Sequence, residues 1–389
     1  MSGRDCSFAS QNNMQTVSPS DISLQGRATS PGDSCSQPSL SALSLSPLTV
    51  TPLSHPSSPA HSSTTITHQE ATFDENVNMN HMELILHLAL DKDKDMYNLG
   101  ATMDDYHPPA LALALDTGLK APYLLHQMLA FSARRLAFLH PERSAAYLHQ
   151  AVALQTRAVS LFNAGWNGIN NTNCVAVLLF TSALGHHVLA DTLAKRDSGG
   201  LDAFMTHYIH CVEMHRGVYT VATTNWPILM GSKELGPILS WSSGYNSRSP
   251  KGDQCHLPLN LIENTSDLME EGKEACRKAV HYLQIGFDAV LAENEEGNRY
   301  QMIVSWPMLS VPNFTSLLAS KHPVALVVLS YYALLLHYAR SMWQVGDSGA
   351  YILNIITEYL GEEWSDWLEY PRQRIEELRV NPAIATQPT

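Results

Sequence analysis

After about residue 76, apolar residues recur along the chain with helical spacing. They fall at i, i+3, i+4 and i+7 and are interrupted at proline and glycine, a pattern typical of successive amphipathic helices. No segment shows a convincing alternation of apolar and polar residues of the kind that indicates a strand. The pattern predicts an all-α fold with helices at about 78–91, 108–117, 121–139, 142–163, 172–195, 201–223, 232–241, 267–291, 323–344, 349–360 and 363–379.

Capping residues and prolines indicate where these helices begin and end. The clearest start is at Asp267, because Glu270 follows three residues later as in a capping box. The Gly/Ser-rich stretch 244–257 predicts a mobile surface loop or a seam between subdomains. Consecutive helix pairs could stack in a solenoid-like array. The prolines expected near helix boundaries are Pro122, Pro141, Pro227, Pro307, Pro312, Pro323 and Pro371.

The beginning of the chain has a different composition. Thirty-two of the first 70 residues are Ser, Thr or Pro, and Phe8 is the only aromatic residue among them. Such a segment cannot bury enough apolar surface to offset the loss of chain entropy. We therefore predict a disordered tail at 1–76, a helical domain at 77–380 and a disordered C-terminus at 381–389.

Net charge and the length of apolar runs restrict the partners of the chain. The formal net charge is −13, and an acidic surface repels a phosphate backbone unless basic residues cluster on one face. The longest apolar run, 324–336, is too short for a bilayer and predicts a buried helix instead of a membrane span. The six cysteines lie far apart, which indicates reduced intracellular thiols. The tightest basic groups, each diluted by nearby acids, are Arg134-Arg135, Lys195-Arg196, Arg277-Lys278 and the trio Arg372, Arg374 and Arg379.

One segment is rich in side chains that can bind metals. His207, Cys211 and His215 follow at i, i+4 and i+8, so they share one face of a helix. Two neighbours in such a row can bind a transition metal, but the third is strained to reach the same ion. The favoured interpretation is a helix with Cys211 in the core and histidines that are exposed or hydrogen-bonded. His186 and His187 are a weaker candidate, because adjacent helical residues point apart.

Sequence motifs of common enzyme classes are missing. The chain has no Gly-x-Ser-x-Gly, no phosphate-binding Gly-rich loop, no Gly-x-Gly-x-x-Gly and no His-Glu-x-x-His. This favours a protein that is not an enzyme, with no catalytic residue and no cofactor. The acidic and aromatic stretch 358–370 resembles a transcriptional activation segment in composition. The favoured alternative is a C-terminal helix pair whose core-facing residues are Tyr359, Leu360, Trp364, Trp367 and Leu368.

Three stretches resemble the regulatory domain of fungal zinc-cluster transcription factors of the sterol-uptake-regulator type. The first, 122–141, is similar to a family helix that ends in Ala-x-His-Leu-Ala, and 147–155 is similar to the helix that follows. The third is 322–336, followed by Trp343, Trp364, Trp367 and Pro371, which resembles the closing helices of the family. With the helical pattern between them, the resemblance covers about residues 78–375.

The resemblance implies a nuclear regulator, cytoplasmic until activated, that binds a small apolar effector, other transcription regulators or a homodimer partner. Family members carry six cysteines that hold two zinc ions at a DNA-binding N-terminus. Here Cys6, within 3–8, is similar to the end of that cluster and the other five ligands are absent. Zinc is therefore expected only if upstream cysteines exist. Large soft side chains that could line an effector cavity, although core packing explains them equally well, are Met128, Phe131, Phe180, Phe204 and Tyr208.

Two other functions remain open at this point. The chain could be a helical interaction module that modulates other regulators without binding DNA. It could also be a helical enzyme whose site is assembled from scattered side chains. A closed apolar cavity would favour effector binding, and an internal cluster of polar side chains would favour the enzyme.

Overall fold

The computed structural model describes residues 77–90, 107–292 and 299–380. Within these ranges the chain is helical and contains no strand, which confirms the predicted all-α fold. The predicted disordered tail at 1–76, with Cys6, and the predicted disordered C-terminus at 381–389 lie outside the described residues. The α-helices of these ranges are α1 (Met79–Leu90), α2 (His107–Lys120), α3 (Pro122–Leu139), α4 (Ser144–Ala164), α5 (Cys174–Ala194), α6 (Gly200–Thr224), α7 (Trp226–Met230), α8 (Leu235–Asn246), α9 (His256–Asn264), α10 (Glu270–Leu291), α11 (Gln301–Leu309), α12 (Pro312–Ala319), α13 (Pro323–Tyr338), α14 (Ser348–Leu360) and α15 (Ser365–Val380).

Most predicted helices are present, with ends shifted by a few residues. The helix predicted to begin at Asp267 begins at Glu270, after an N-cap residue that provides no side-chain hydrogen bond. The helix predicted to reach residue 344 ends at Tyr338, because the chain then forms tight turns in which the N–H of Met342 donates to the carbonyl of Ala339. The sequence pattern does not predict α7, α9, α11 and α12, because segments of five to nine residues are too short to display a helical period.

Prolines lie at helix starts in most places and inside a helix in two. Pro122, Pro312 and Pro323 occupy the first turns of α3, α12 and α13, as predicted. Pro307 lies inside α11, near its end, and Pro371 lies in the middle of α15. Both of these prolines are buried, so apolar packing offsets the backbone hydrogen bond that proline cannot donate.

The largest apolar cluster is built around α13. The residues from Val324 to Tyr338 are all buried, which confirms that the apolar run 324–336 is a core helix. This helix contacts α9, α10, α12, α14 and α15. Gly349 allows α14 to approach it closely, because a Cβ atom there would lie only 2.3 Å from the carbonyl oxygen of Ala333. Neighbouring helices in the chain therefore pack as pairs, and helices distant in the chain meet on α13 as well.

A second cluster joins α3 and α4 to α1 and α5. The facing surfaces of α3 and α4 are rich in alanine, with Ala130, Ala133, Ala151 and Ala158 all buried, so the two helices pack closely. By length and composition α5 could cross a membrane, but 61% of its apolar window is buried inside the protein, as in a core helix. The described residues thus contain no clear membrane span.

Candidate functional site

Polar side chains interrupt the apolar packing at several places in the described residues, and two groups of them are candidate sites. We call the first the sealed cluster: it consists of Gln127 and Arg134 of α3 with His187 and Asp191 of α5. We call the second the open pocket, a cavity of about 210 Å³ between the loop 247–255, α9, the end of α10 and α15. The residues that line the open pocket are Asp253, Gln254, His256, Leu291, Tyr370 and Arg374.

In the sealed cluster the polar groups bond to one another. The side-chain amide of Gln127 donates to Nδ1 of His187 at 3.2 Å, so Nε2 carries the proton of the neutral ring. That Nε2 lies 3.6 Å from Oδ2 of Asp191, and Nε of Arg134 donates to Oδ1 of the same carboxylate at 2.7 Å. Gln127 and His187 are 0% and 2% exposed. The network therefore links α3 to α5 across a buried interface.

Aromatic rings cover the sealed cluster. The ring of Phe131 lies 6.0 Å from that of His187 and 5.3 Å from that of Trp343, measured between centroids. The guanidinium of Arg134 lies 5.9 Å from the centroid of Trp343. Burial lowers the pKa of His187 below its ordinary value, and Arg134 lowers it further, although Asp191 raises it. His187 is therefore neutral at pH 7 and closed off from solvent, which suits a structural role.

The loop wall of the open pocket is held in place by α10. Asp288 accepts hydrogen bonds from the backbone N–H groups of Lys251 and Gly252, at 2.7 and 2.9 Å. Gln284, one turn earlier, accepts from the N–H of Cys255 at 2.9 Å and donates to Oε1 of Gln254 at 2.6 Å. The stretch predicted as a mobile loop is therefore tied to α10 through these four hydrogen bonds, and its ends belong to α8 and α9.

Gly252 leaves room for the side chains that hold the loop. A Cβ atom at that position would lie 2.3 Å from Oε1 of Gln254 and 2.7 Å from Oδ1 of Asp288. The three closest atoms are the ends of the side chains of Gln254, Gln284 and Asp288, so a larger residue would displace these side chains and with them hydrogen bonds that tie the loop to α10.

The opposite wall is provided by α15. Arg374 donates to the hydroxyl of Tyr338 at 2.9 Å and to Oε2 of Glu377 at 2.6 Å, and its side chain is only 12% exposed. The ring of Tyr370 stacks on that of buried Tyr331, with centroids 5.9 Å apart. Burial and the neighbouring Tyr338 raise the pKa of Tyr370 to about 12, so its hydroxyl stays protonated at neutral pH. A fixed guanidinium and a neutral hydroxyl therefore line the same side of the pocket.

The three candidate metal ligands on α6 do not all meet, although Sγ of Cys211 lies 3.6 Å from Nδ1 of His215. Nε2 of His207 lies 3.1 Å from Oδ2 of Asp197, near the helix surface. Cys211 is fully buried, and Nδ1 of His215 donates to its backbone carbonyl at 2.9 Å. His187 belongs to the sealed cluster, whereas His186 lines a second cavity of only about 10 Å³. Across the residues that the structure describes, no group of three or more His, Cys, Asp or Glu side chains is placed to hold a metal ion.

The five side chains proposed to line an effector cavity are all buried, but in two different clusters. Met128, Phe131 and Phe180 pack with α3 and α5, whereas Phe204 and Tyr208 pack in the cluster around α13. None of the five lines the open pocket or the small cavity beside His186. Core packing accounts for all of them.

The acidic and aromatic stretch 358–370 packs largely as the helix-pair interpretation predicts. Leu360 and Leu368 are buried, and Trp364 and Trp367 pack against the core around α13. Tyr359 is the exception: it is 48% exposed and lies under the ammonium group of Lys321, 5.3 Å from its ring centroid. Most of the aromatic residues of this stretch therefore contribute to folding.

Sequence reasoning missed the open pocket because its two walls are more than 100 residues apart. Each segment contains residues that can form a polar site. These are an acid and an amide beside Gly252, and an arginine three residues before Glu377. No sequence pattern indicates that these segments meet. Comparison with protein-family models and with curated proteins finds no match for this chain.

Proposed function

We propose that this chain is a transcriptional regulator of the zinc-cluster type whose helical domain binds a small effector in the open pocket. The observation that carries the proposal is the pocket itself, where side chains of both charges line one cavity of about 210 Å³. Its volume is below the roughly 300–1,000 Å³ typical of sites for drug-sized ligands, so it suits a small metabolite. The walls include α15, one of the closing helices on which the resemblance to that family rests.

Ligand binding in the open pocket has a plausible structural consequence. The pocket joins a loop held by Asp288 and Gln284 to a helix held by Tyr338 through Arg374. A ligand that contacts both walls stabilises one relative position of loop and helix, in proportion to its preference for that position. The effector proposed here contacts polar side chains, and so differs from the apolar effector that the family resemblance implies.

The pairing of basic residues supports regulation without direct DNA contact by this chain. Arg134 pairs with Asp191, Arg196 with Asp347, and Arg277 with three glutamates of α9 and α10. Pairs of this kind, on a chain with a net charge of −13, give little net positive charge to a phosphate-binding surface. DNA contacts would then come from a partner or from a separate zinc cluster.

A reporter assay tests this function. The full chain, fused to an unrelated DNA-binding domain, should change expression of a reporter that carries the matching site. Arg374→Met in the pocket should alter that response, whereas Arg372→Met, on the exposed side of the same helix, should not. A fusion that behaves like the DNA-binding domain alone under all growth conditions would contradict the proposal.

An exposed apolar stripe on α1 favours a second candidate function, a self-associating interaction module. Met79, Met82, Leu86 and Leu90 follow at helical spacing and are 66%, 39%, 50% and 68% exposed. Glu83 lies beside the stripe, but its carboxylate pairs with Arg143 at 3.0 Å, so the stripe can face a second copy of an acidic chain with little charge repulsion.

Light scattering coupled to size exclusion tests this alternative. The full chain should elute as a dimer, and Leu86→Glu should shift it towards the monomer. Asn80→Glu, an exposed change outside the stripe, should leave the dimer intact. A chain that is monomeric at all accessible concentrations would contradict self-association through this stripe.

A further inference from the structure

We infer that the open pocket recognises a free α-amino acid with an uncharged side chain, through its carboxylate and its ammonium group together. This inference rests on the proposed effector function of the same pocket. It names the class of ligand that the charges and size of the cavity select.

The carboxylate-binding side of the pocket is α15. Arg374 has five N–H donors, and its bonds to Tyr338 and Glu377 use two of them. Those two bonds fix the plane of the guanidinium, so the remaining donors are presented in a set direction, as carboxylate recognition requires. The hydroxyl of Tyr370 adds a second donor on the same helix, and its ring is held by the stack on Tyr331.

The ammonium-binding side is the loop. Asp253 lines the pocket, and its carboxylate has no hydrogen-bond partner among the residues that the structure describes. Its backbone carbonyl accepts a hydrogen bond from Nδ1 of His256 at 2.9 Å, and this bond orients that part of the loop. The exposed carboxylate of Asp253 at the edge of the cavity attracts an ammonium group through its charge.

The combination of groups selects against ligands with one charge. An anion alone meets the carboxylates of Asp253 and Glu377 when it reaches Arg374, and a cation alone leaves the remaining donors of Arg374 without an acceptor. A zwitterion satisfies both residues. Leu291 and the ring of Tyr370 supply the carbon surface for a short uncharged side chain, and the cavity of about 210 Å³ accommodates a ligand of amino-acid size.

Calorimetric titration of the full chain with leucine and two analogues tests the inference. Isopentylamine lacks the carboxylate of leucine, and 4-methylpentanoate lacks its ammonium group. We expect leucine, or another member of a panel of uncharged amino acids, to bind at least tenfold more tightly than its two singly charged analogues. An amine or an acid that binds as tightly as the amino acid would overturn the inference.

Two substitutions connect binding to the pocket. Asp253→Asn should weaken amino-acid binding at least tenfold, and it changes an exposed loop side chain, so the variant is expected to fold. Asp366→Asn, an exposed change at the start of α15, should have no effect. Unchanged affinity in Asp253→Asn would also overturn the inference.

The outcomes separate this inference from the proposed function. If no amino acid binds but another polar metabolite binds and Arg374→Met abolishes that binding, the amino-acid assignment fails and the effector function stands. If amino acids bind as expected while the reporter fusion is inactive, the ligand class stands and transcriptional regulation fails.

Discussion

The sealed cluster and the open pocket contain similar side chains in opposite surroundings. Each combines an arginine, an aspartate, a histidine and a glutamine. In the sealed cluster the side chains bond to one another, and Phe131 and Trp343 lie across them. In the open pocket the internal bonds serve to hold the walls, and Asp253 and part of Arg374 face the cavity. Residue type alone therefore does not distinguish structure from recognition; whether unpaired polar groups face an open cavity does.

The difference has an energetic basis. A buried polar group without a partner costs about 1–3 kcal/mol, so the bonds within the sealed cluster reduce its cost, although Oε1 of Gln127 has no partner. A polar group at an open cavity keeps its water and carries no such cost. We expect substitutions in the sealed cluster to affect stability, and substitutions in the open pocket to affect binding.

Removing the cover of the sealed cluster should have the largest effect. Phe131 is 0% exposed, and Phe131→Ala leaves a cavity above His187, so we expect the free energy of unfolding to fall by about 3–5 kcal/mol. Urea denaturation of the full chain measures this change. Phe138→Ala, seven residues later and 53% exposed, should cost less than about 1 kcal/mol. Equal losses in the two variants would show that the cluster is not sealed.

The same substitution in the two regions provides a direct comparison. Asp191→Asn leaves the guanidinium of Arg134, whose side chain is 14% exposed, without its charged partner. Because Asp191 itself is 38% exposed, we expect a moderate loss of about 1–2 kcal/mol in the free energy of unfolding. Asp253→Asn should change stability by less than about 0.5 kcal/mol. Equal losses in the free energy of unfolding for Asp191→Asn and Asp253→Asn would contradict this difference between the two regions.

The fold was largely predictable because its helices are long and periodic. α10 carries an apolar stripe through six turns, and α13 is apolar on all sides. The sequence of each helix therefore indicates which of its residues are buried. Exact ends were harder, since the start of α10 does not use Asp267 as a cap. At Pro371 the local sequence predicts a helix boundary. The helix nevertheless continues through this residue, because the proline is buried in the core.

The candidate site was not predictable in the same way. Large apolar residues such as Phe204 and Tyr208 were plausible cavity residues, but they fill the core. The pocket depends on α10 holding the loop through Gln284 and Asp288, and on Gly252 permitting that contact. These are contacts between distant segments, and helical periodicity carries no information about them.

The pH dependence of stability should report the sealed cluster. The pKa of His187 is lowered by burial in the folded state, below the ordinary value of 6.5 that it regains on unfolding. Below pH 6.5 the unfolded chain therefore binds a proton that the folded chain does not, and stability falls as pH decreases. Well above pH 6.5 both states are neutral and this contribution is constant.

A substitution isolates the contribution of His187 from those of His186 and His215, whose pKa values are also lowered by burial. Between pH 6.5 and 5, His187→Gln should reduce the slope of the free energy of unfolding against pH by up to about 1 kcal/mol per pH unit. Urea denaturation at several pH values gives the slope. A slope that His187→Gln leaves unchanged would mean that this histidine is not kept neutral by the fold.

The smallest effect on stability is expected for the hydroxyl of Tyr370 in the open pocket. Tyr370→Phe keeps the ring that stacks on Tyr331 and removes only the donor at the cavity. We expect the free energy of unfolding to change by less than about 0.5 kcal/mol, and the affinity for the amino acid to fall by roughly three- to tenfold, the value of one hydrogen bond. Calorimetric titration beside urea denaturation separates the two quantities. If Tyr370→Phe lowered the free energy of unfolding and left the affinity unchanged, the hydroxyl of Tyr370 would have a structural role and would not contact the ligand. The open pocket would then resemble the sealed cluster.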